Sequence, residues 1–470
     1  MVATCPHAVS EAVSIANIIP AQIIALVDAE ERYLQPLLAR MEGDWSLKTL
    51  VEFDAGEGYR SYTSNDPMTY FDKMTSEIAS AKVDISIPTQ RDMRDKRAKE
   101  SAGERFFIGL LRANDERLAL LGEPPLLSSL GGFVNLRGRY CGRSHFIKDP
   151  QTGETHVDIT PWDPLHVTWG VGAKGLKWIC HKTNKTRAQV IDEYGFIPGE
   201  MAQTNYWDDQ VTAAGPGLTV YDWYDEENNM VVVGGKFVKP PTPHTPSEVG
   251  RVPAFFGSVS YLPLIQDRNG NISDNIKHHG ESIYAANRAI YEKVNLVLST
   301  MLQLVALSRN HAFYLTGGDG THPGLKDNPA LEGSQFTLPE GWQFNIVPLL
   351  EMSKDTGAFM GLVSAELQRG SLTHSDYGQL AFQLSGYAVK LLSQAHDASI
   401  RPRVQAVENA LWQITNNLRD QFVSRAYDAM QLQGYARNRD WFDEEFTPDM
   451  MMGLPSAKVT LVVQTPQDDM

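Results

Sequence analysis

Apolar positions along this chain change their spacing several times, and each change marks a different kind of element. Within residues 8–42, Tyr33, Leu34, Leu37, Leu38 and Met41 recur at helical spacing. A second helical run is predicted over about 89–121. Phe106, Phe107, Leu110, Leu111 and Leu118 form its apolar face, and Gly122, Pro124 and Pro125 end it. From about 128 to 258 the pattern shifts to short runs rich in Val, Ile, Thr, Tyr and Trp, separated by turn residues. They include "FVNLRGRYCG", "HVDITP", "HVTWGVG", "GLKWICHKT", "LTVYDWYDEENNMVVVGGKFV" and "VPAFFG". "DEENN" reads as a hairpin connection, and one short helix, "TRAQVIDEYG", interrupts the strands. The fold class expected is α+β.

The next stretch, 271–310, holds no proline and a single glycine. Ile276, Ile283, Ile290, Val297 and Leu304 recur every seven residues, and Val294 and Met301 follow four later in the last two heptads. That is a narrow packing seam on one long predicted helix. At 1.5 Å per residue it would span roughly 55 Å and need a packing partner along its length. Beyond it, "AFYLTGG" and "QFNIVPL" read as strands on either side of a turn-rich insert. A helix is predicted from about 353 to 369, and another over 385–430 with a kink or break near Ile400 forced by Pro402. Between these two helices lie some fifteen mostly small and polar residues, "GSLTHSDYGQLAFQL". The final strand is "KVTLVVQ".

Composition narrows the class. The chain has 470 residues, 42% hydrophobic and 21% charged. It is therefore globular, with two or three domains expected. No run of 18 uncharged apolar residues occurs, so no membrane span is expected, and the N-terminus lacks the basic region of a signal peptide. Cys5, Cys141 and Cys180 are too few and too scattered for a disulfide framework or a zinc site, which fits a reducing compartment. The net charge of −15 argues against a surface that grips nucleic acid by its phosphates.

Motifs for chemistry are sparse. "GVGAKG" (170–175) has the glycine spacing of a dinucleotide loop, but "LKWICHKT" after it alternates like a strand, so a hairpin is expected. "GGDGTHPG" (317–324) lacks the Lys-Ser/Thr of a phosphate loop. His278 and His279 are adjacent and on a helix would point about 100° apart, which excludes a shared metal. Asp158, Asp163 and His166 form the one acid/base neighbourhood, for which a turn is the simpler account. No catalytic residue, cofactor or metal ligand is assigned.

The order of parts resembles the portal protein of tailed double-stranded DNA bacteriophages. An α+β body is followed by a long helix, a strand-bearing insert, a second helix, a polar loop and a kinked helix. "DPLHVTWGVGAKGLKWICHKTNKTRAQVIDEYG" is similar to a portal wing, and "VPAFF" to the strand leading into a first stem helix. "LSGYAVKLL" resembles the helix start after a tunnel loop, and "VTLVVQTPQDD" a late strand of the family. The resemblance covers about 130–470 and rests on order and length rather than on an invariant signature.

It implies an N-terminal helical part of the wing (1–127), a β-rich wing (128–270), a first stem helix (271–310) and a clip (311–347). A second stem helix (348–369), a tunnel loop (370–384) and a closing region of kinked helix, short crown and strand (385–470) follow. The implied function is a ring of subunits, a dodecamer, forming a DNA channel at one capsid vertex of the virion after assembly in the host cytoplasm. Implied partners are the major capsid protein, scaffolding protein, large terminase subunit, head-tail adaptor and the passing duplex, with no membrane and no enzymatic activity. Arg369, Gly370, His374, Gly378 and Gln379 would belong to the tunnel loop. Glu351, Asp355 and Glu366 would line the channel, where screening confines repulsion of phosphate to roughly 8–10 Å. Ile276, Ile283, Ile290, Val297 and Leu304 would pack the stem. The alternatives are a cytosolic hydrolase using Asp158, Asp163 and His166, and a structural virion protein without a channel.

Overall fold

A computed structural model describes residues 18–88, 94–148, 153–173, 175–195, 217–244, 251–259, 275–309, 313–317, 338, 340–346, 354–371, 386–436 and 440–463. The chain divides into two compact units. The first takes residues 1–43, 71–282 and 385–470, and the second takes 44–70 and 283–384. The architecture is mixed helix and sheet, as the change of period predicts.

In the first unit, helix α1 (Pro20–Lys48) buries Ile23, Val27, Glu30, Leu34, Leu37 and Met41, a stripe spaced four and three residues apart. Ile23 and Val27 pack with Trp178, Cys180, Trp223, Met230 and Val232. Leu34, Leu37 and Met41 pack with Cys141, Trp162, Val167, Trp169, Ile179 and Tyr224. Several of these partners sit on a five-stranded antiparallel sheet in simple sequential order. Its strands are β4 (Val167–Gly172), β5 (Gly175–Lys185), β6 (Leu218–Asp225), β7 (Asn228–Val233) and β8 (Lys236–Pro243). The GVGAKG stretch closes the β4–β5 hairpin with Gly172 opposite Gly175, as its alternation predicts. Gly234 and Gly235, both at positive φ, make a further turn that divides the "MVVVGGKFV" run into β7 and β8. The short helix α5 (Arg187–Tyr194) starts with a capping box between Thr186 and Gln189 and stops at left-handed Gly195.

A second sheet has the order β3–β2–β9, with β2 (Arg139–Lys148) central between β3 (Thr155–Pro161) and β9 (Ala254–Ser258). Here the structure corrects one reading. The first half of "FVNLRGRYCG" is not strand but the end of helix α4 (Leu126–Arg137). Pro125 precedes that helix, and Gly138 closes it in the left-handed region. Helix α2 (Asp66–Ala79) and helix α3 (Arg94–Leu120) complete the N-terminal part, with 89–93 outside the described residues. Strand β1 (Lys82–Ser86) pairs with β14 (Lys458–Val462), the C-terminal strand expected from "KVTLVVQ".

The helix predicted over 385–430 is α8 (Gly386–Val423) and runs unbroken through Pro402. Ile400 and Val404 are buried on either side of the proline, and their packing outweighs one lost backbone hydrogen bond. Phe422 near its end meets Phe106 of α3, ring centroids 4.8 Å apart. A hairpin of β12 (Met430–Tyr435) and β13 (Trp441–Phe446), then a short helix α9 (Pro448–Met451), lead to β14.

The largest departure lies at 271–310. Residues 271–274 are outside the described set, Ile276–His278 form a 3-10 turn, and helix α6 begins only at Arg288 and ends at Arg309. Carbonyls that would start a helix are already committed. Arg40 donates to the carbonyls of Lys277, Gly280 (2.9 Å) and Arg137 (3.0 Å). Gly280 has φ +85° and lies against Gly138, where a side chain on either residue would overlap backbone of the other. Ile276 is thus packed in the first unit's core rather than on a stem seam. His279 Nδ1 accepts from Arg139 at 2.6 Å and His278 pairs with Glu281 at 2.8 Å, so the two histidines face different partners.

The second unit contains α6, helix α7 (Lys354–Gly370) and an antiparallel pair of strands, β10 (Phe313–Gly317) and β11 (Trp342–Ile346). Strand β10 follows α6 and β11 precedes α7, in the order expected, and the insert at 318–337 lies outside the described residues. Among the described residues no helix is long and apolar enough to cross a membrane.

Candidate functional site

Helix α6 is the organising element of the second unit. Its buried face is Tyr291, Val294, Asn295 and Ser299, while Ile290, Val297 and Leu304 are only half-buried. The seven-residue seam is therefore displaced by about one position, because a polar row takes the place of part of it. Gln303, Ser299 and Asn295 accept hydrogen bonds from the backbone amides of Arg60 (3.3 Å), Tyr62 (2.8 Å) and Ser64 (2.9 Å). Four helical residues rise about 6 Å and two extended residues about 6.5 Å, so three successive bonds stay in register. On the other side of this extended strap, Thr63 and Ser61 side chains accept from the amides of Phe53 (2.9 Å) and Ala55 (3.2 Å). The strap replaces sheet pairing with side-chain acceptors, a relation no local pattern announces.

The first turn of α6 is tied down on three sides. Arg288 makes a two-point ion pair with fully buried Asp44 at 2.6 and 3.0 Å. Tyr284 donates its hydroxyl to the carbonyl of Pro67 at 2.9 Å. Asn287, 1% exposed, donates from Nδ2 to the carbonyl of Leu367 in the last turn of α7 at 2.7 Å. Ile283 is buried, on a turn rather than on the predicted helix.

Helix α7 carries part of the expected channel surface. Glu366 is exposed, and Arg369 three residues on is its ion-pair partner, so the two charges offset each other. Leu362 and Phe359 are exposed one and two turns before Glu366, on the same side of the helix as Glu366 and Arg369. Leu302 and Val305 are exposed apolar residues of α6. Gly370 closes α7, whereas Glu351, His374, Gly378 and Gln379 lie outside the described residues, as does the side chain of Asp355.

The structure does not assemble Asp158, Asp163 and His166 into one acid/base site. Asp163 caps the 3-10 turn Pro164–His166 through the amide of Leu165 and pairs twice with Arg137, at 2.9 and 2.7 Å. Asp158, 1% exposed, faces Arg117 (2.6 Å), Arg143 (2.9 Å), His145 (3.1 Å) and the Thr160 hydroxyl (2.6 Å). Burial alone would raise its carboxyl. The His145 hydrogen bond, the Arg143 charge and Thr160 outweigh burial and hold the group well below the usual carboxylate range. A carboxylate held in the ionised state by two guanidinium groups is a structural anion and a poor proton acceptor. Cys141 and Cys180 are buried and free, and burial pushes both thiols up, away from nucleophilic thiolate. Among the described residues no group of three or more His, Cys, Asp or Glu side chains is arranged to hold a metal ion.

No protein-family model matches this chain, and no curated protein matches it.

Proposed function

We propose that this chain is a portal subunit: identical copies form a ring whose channel passes double-stranded DNA at one capsid vertex. The observation that carries this reading is the order of parts in the second unit. A helix, a two-stranded antiparallel pair, and a second helix whose end is fastened to the start of the first are inserted in sequence within an α+β unit. A polar stretch of loop composition follows α7 and precedes α8.

The exposed apolar side chains Leu302, Val305, Phe359 and Leu362 support it further. Such residues on neighbouring helices are what side-by-side copies would cover. In this reading α6 and α7 are the stem, the β10–β11 pair is the core of the clip, and Arg369 and Gly370 stand at the entrance to the tunnel loop. The Glu366–Arg369 pair makes the acidic lining of α7 weaker than its carboxylates alone would make it. The clip docks the large terminase subunit and later the head-tail adaptor, and capsid and scaffolding proteins meet the outer body. The chain itself performs no hydrolysis; the motor does.

Mass measurement and negative-stain imaging of the purified protein test the reading. Rings of about twelve copies with a central hole are expected. A monomer or dimer at every ionic strength overturns it, and rings without a hole favour a structural role with no channel.

A further inference from the structure

Building on the portal reading, we propose that Asn287 is a positioning residue for DNA passage: it sets where the chain leaves the second stem helix. Its side chain is almost wholly buried at the start of α6 and reaches across to the last turn of α7, 2.7 Å from the carbonyl of Leu367. That carbonyl belongs to the last turn of α7. Ser371 donates its hydroxyl to the same oxygen at 2.7 Å, so the end of α7 is held from outside and from within. Gly370 completes the arrangement. A Cβ at that position would stand 2.1 Å from Asn287 Oδ1. Its φ is not in the left-handed region, so the glycine is required by close approach and not by backbone conformation.

Three features therefore converge on one point: a buried amide, a glycine that lets it approach, and a hydroxyl sharing the acceptor. Asn287 is itself fixed, because the neighbouring Arg288 is paired to Asp44 and Tyr284 to Pro67. The residues predicted as the tunnel loop begin at Gly370, on the anchored turn. A segment that must meet a moving duplex transmits little force or register if its root is free, and this contact supplies a fixed root.

Hydrogen exchange on the full-length protein in whatever oligomer it forms reads the contact, and DNA packaging into empty shells reads the role. Asn287→Ala and Asn287→Asp both remove the donor, and Gly370→Ala displaces the amide by steric overlap. All three are expected to speed exchange of amides 366–371 at least tenfold, with the β5–β7 amides unchanged. Packaging rate is expected to fall several-fold while oligomer mass stays that of the parent. Ser371→Ala, a milder change, is expected to have a smaller effect in the same direction. Exchange within twofold of the parent in both Asn287 variants overturns the contact. Fast exchange with packaging at the parental rate overturns the positioning role and leaves the portal reading standing. A parent that forms no rings and packages no DNA overturns the portal reading itself, and with it the role in packaging.

Discussion

Gln413 holds Phe256 at both of its backbone groups: Nε2 donates to the carbonyl at 3.0 Å, and Oε1 accepts from the amide at 2.9 Å. Phe256 lies on β9, the edge of the three-stranded sheet, where one row of peptide groups has no neighbouring strand. The same face of α8 continues the pattern. Asn417 donates to the carbonyl of Ala254 at 3.0 Å, and Gln421 donates to that of Ser144 at 2.9 Å while accepting from the amide of Phe146 at 3.2 Å. Side-chain amides four residues apart thus satisfy the sheet backbone that α8 covers. Replacing Gln413 with Ala should cost about 2–3 kcal/mol, since it leaves a donor and an acceptor without partners. Gln413→Glu keeps the acceptor for the amide but sets a carboxylate oxygen against the Phe256 carbonyl, and should cost at least as much. Urea unfolding of the two variants checks the order.

The strap on α6 invites a local test. Ser299→Ala removes the acceptor for Tyr62, and Asn295→Ala the acceptor for Ser64. Each should lower stability by about 1–2 kcal/mol and raise exchange at amides 60–64 while the five-stranded sheet stays protected. Cleavage by added protease within 51–65 should rise in parallel. Unchanged cleavage would show that the strap is held by something other than this ladder.

Asp158 should be costly to neutralise. Asp158→Asn leaves the partly buried guanidinium groups of Arg117 and Arg143 without their shared anion, a change expected to cost about 3–5 kcal/mol. Its folded pKa lies below the unfolded value near 3.8, so the stabilisation is complete above that pH and fades as pH drops through the folded value. In the Asn variant this acid-side loss should vanish, which denaturant titrations from pH 7 down to about pH 2 can show.

Glu30 works in the opposite sense. It sits in the buried stripe of α1 with Oε1 lacking a hydrogen-bond partner, and burial pushes its pKa up to about 7 from 4.5. Between those values the unfolded chain is ionised and the folded chain is not. Stability from this group is therefore fully present below about pH 4.5, declines as pH rises, and levels off above 7. The full difference, from 4.5 to about 7 at about 1.4 kcal/mol per pH unit, is at most about 3.5 kcal/mol. Glu30→Gln should be more stable than the parent at pH 8 and equal to it near pH 4. Parallel pH profiles for the two proteins would contradict the assignment.

Assembly is best probed at a residue that the isolated fold does not need. Leu362 is 67% exposed on α7, so Leu362→Asp should leave the unfolding midpoint of the subunit within ~1 °C. In the portal reading it should nonetheless prevent rings. Ile283→Asp should also prevent them, but by unfolding the second unit, since Ile283 is buried. Circular dichroism together with sedimentation separates the two causes.

Much of the architecture was legible in local chemistry. The α1 stripe, the capping box of α5, the glycine hairpin between β4 and β5, and the order helix, strand, strand, helix in the second unit all follow from spacing and turn residues. These are relations between residues a few positions apart, and period, capping and turn propensity report on them directly.

What spacing could not reveal was set by residues from 26 to about 240 positions away. The heptad through Ile276 to Leu304 promised one helix, yet Arg40 takes the carbonyls of Lys277 and Gly280, and Gly280 lies against Gly138, so the helix starts at Arg288. Asp158 and Asp163, five residues apart, belong to different ion pairs because different arginines reach them. A polar row on α6 became a seat for a backbone strap, and a lone Asn before that helix became the fastening of another. Hydrogen bonds and ion pairs between distant segments depend on which surfaces meet, and hydrophobic period along one segment carries no information about that.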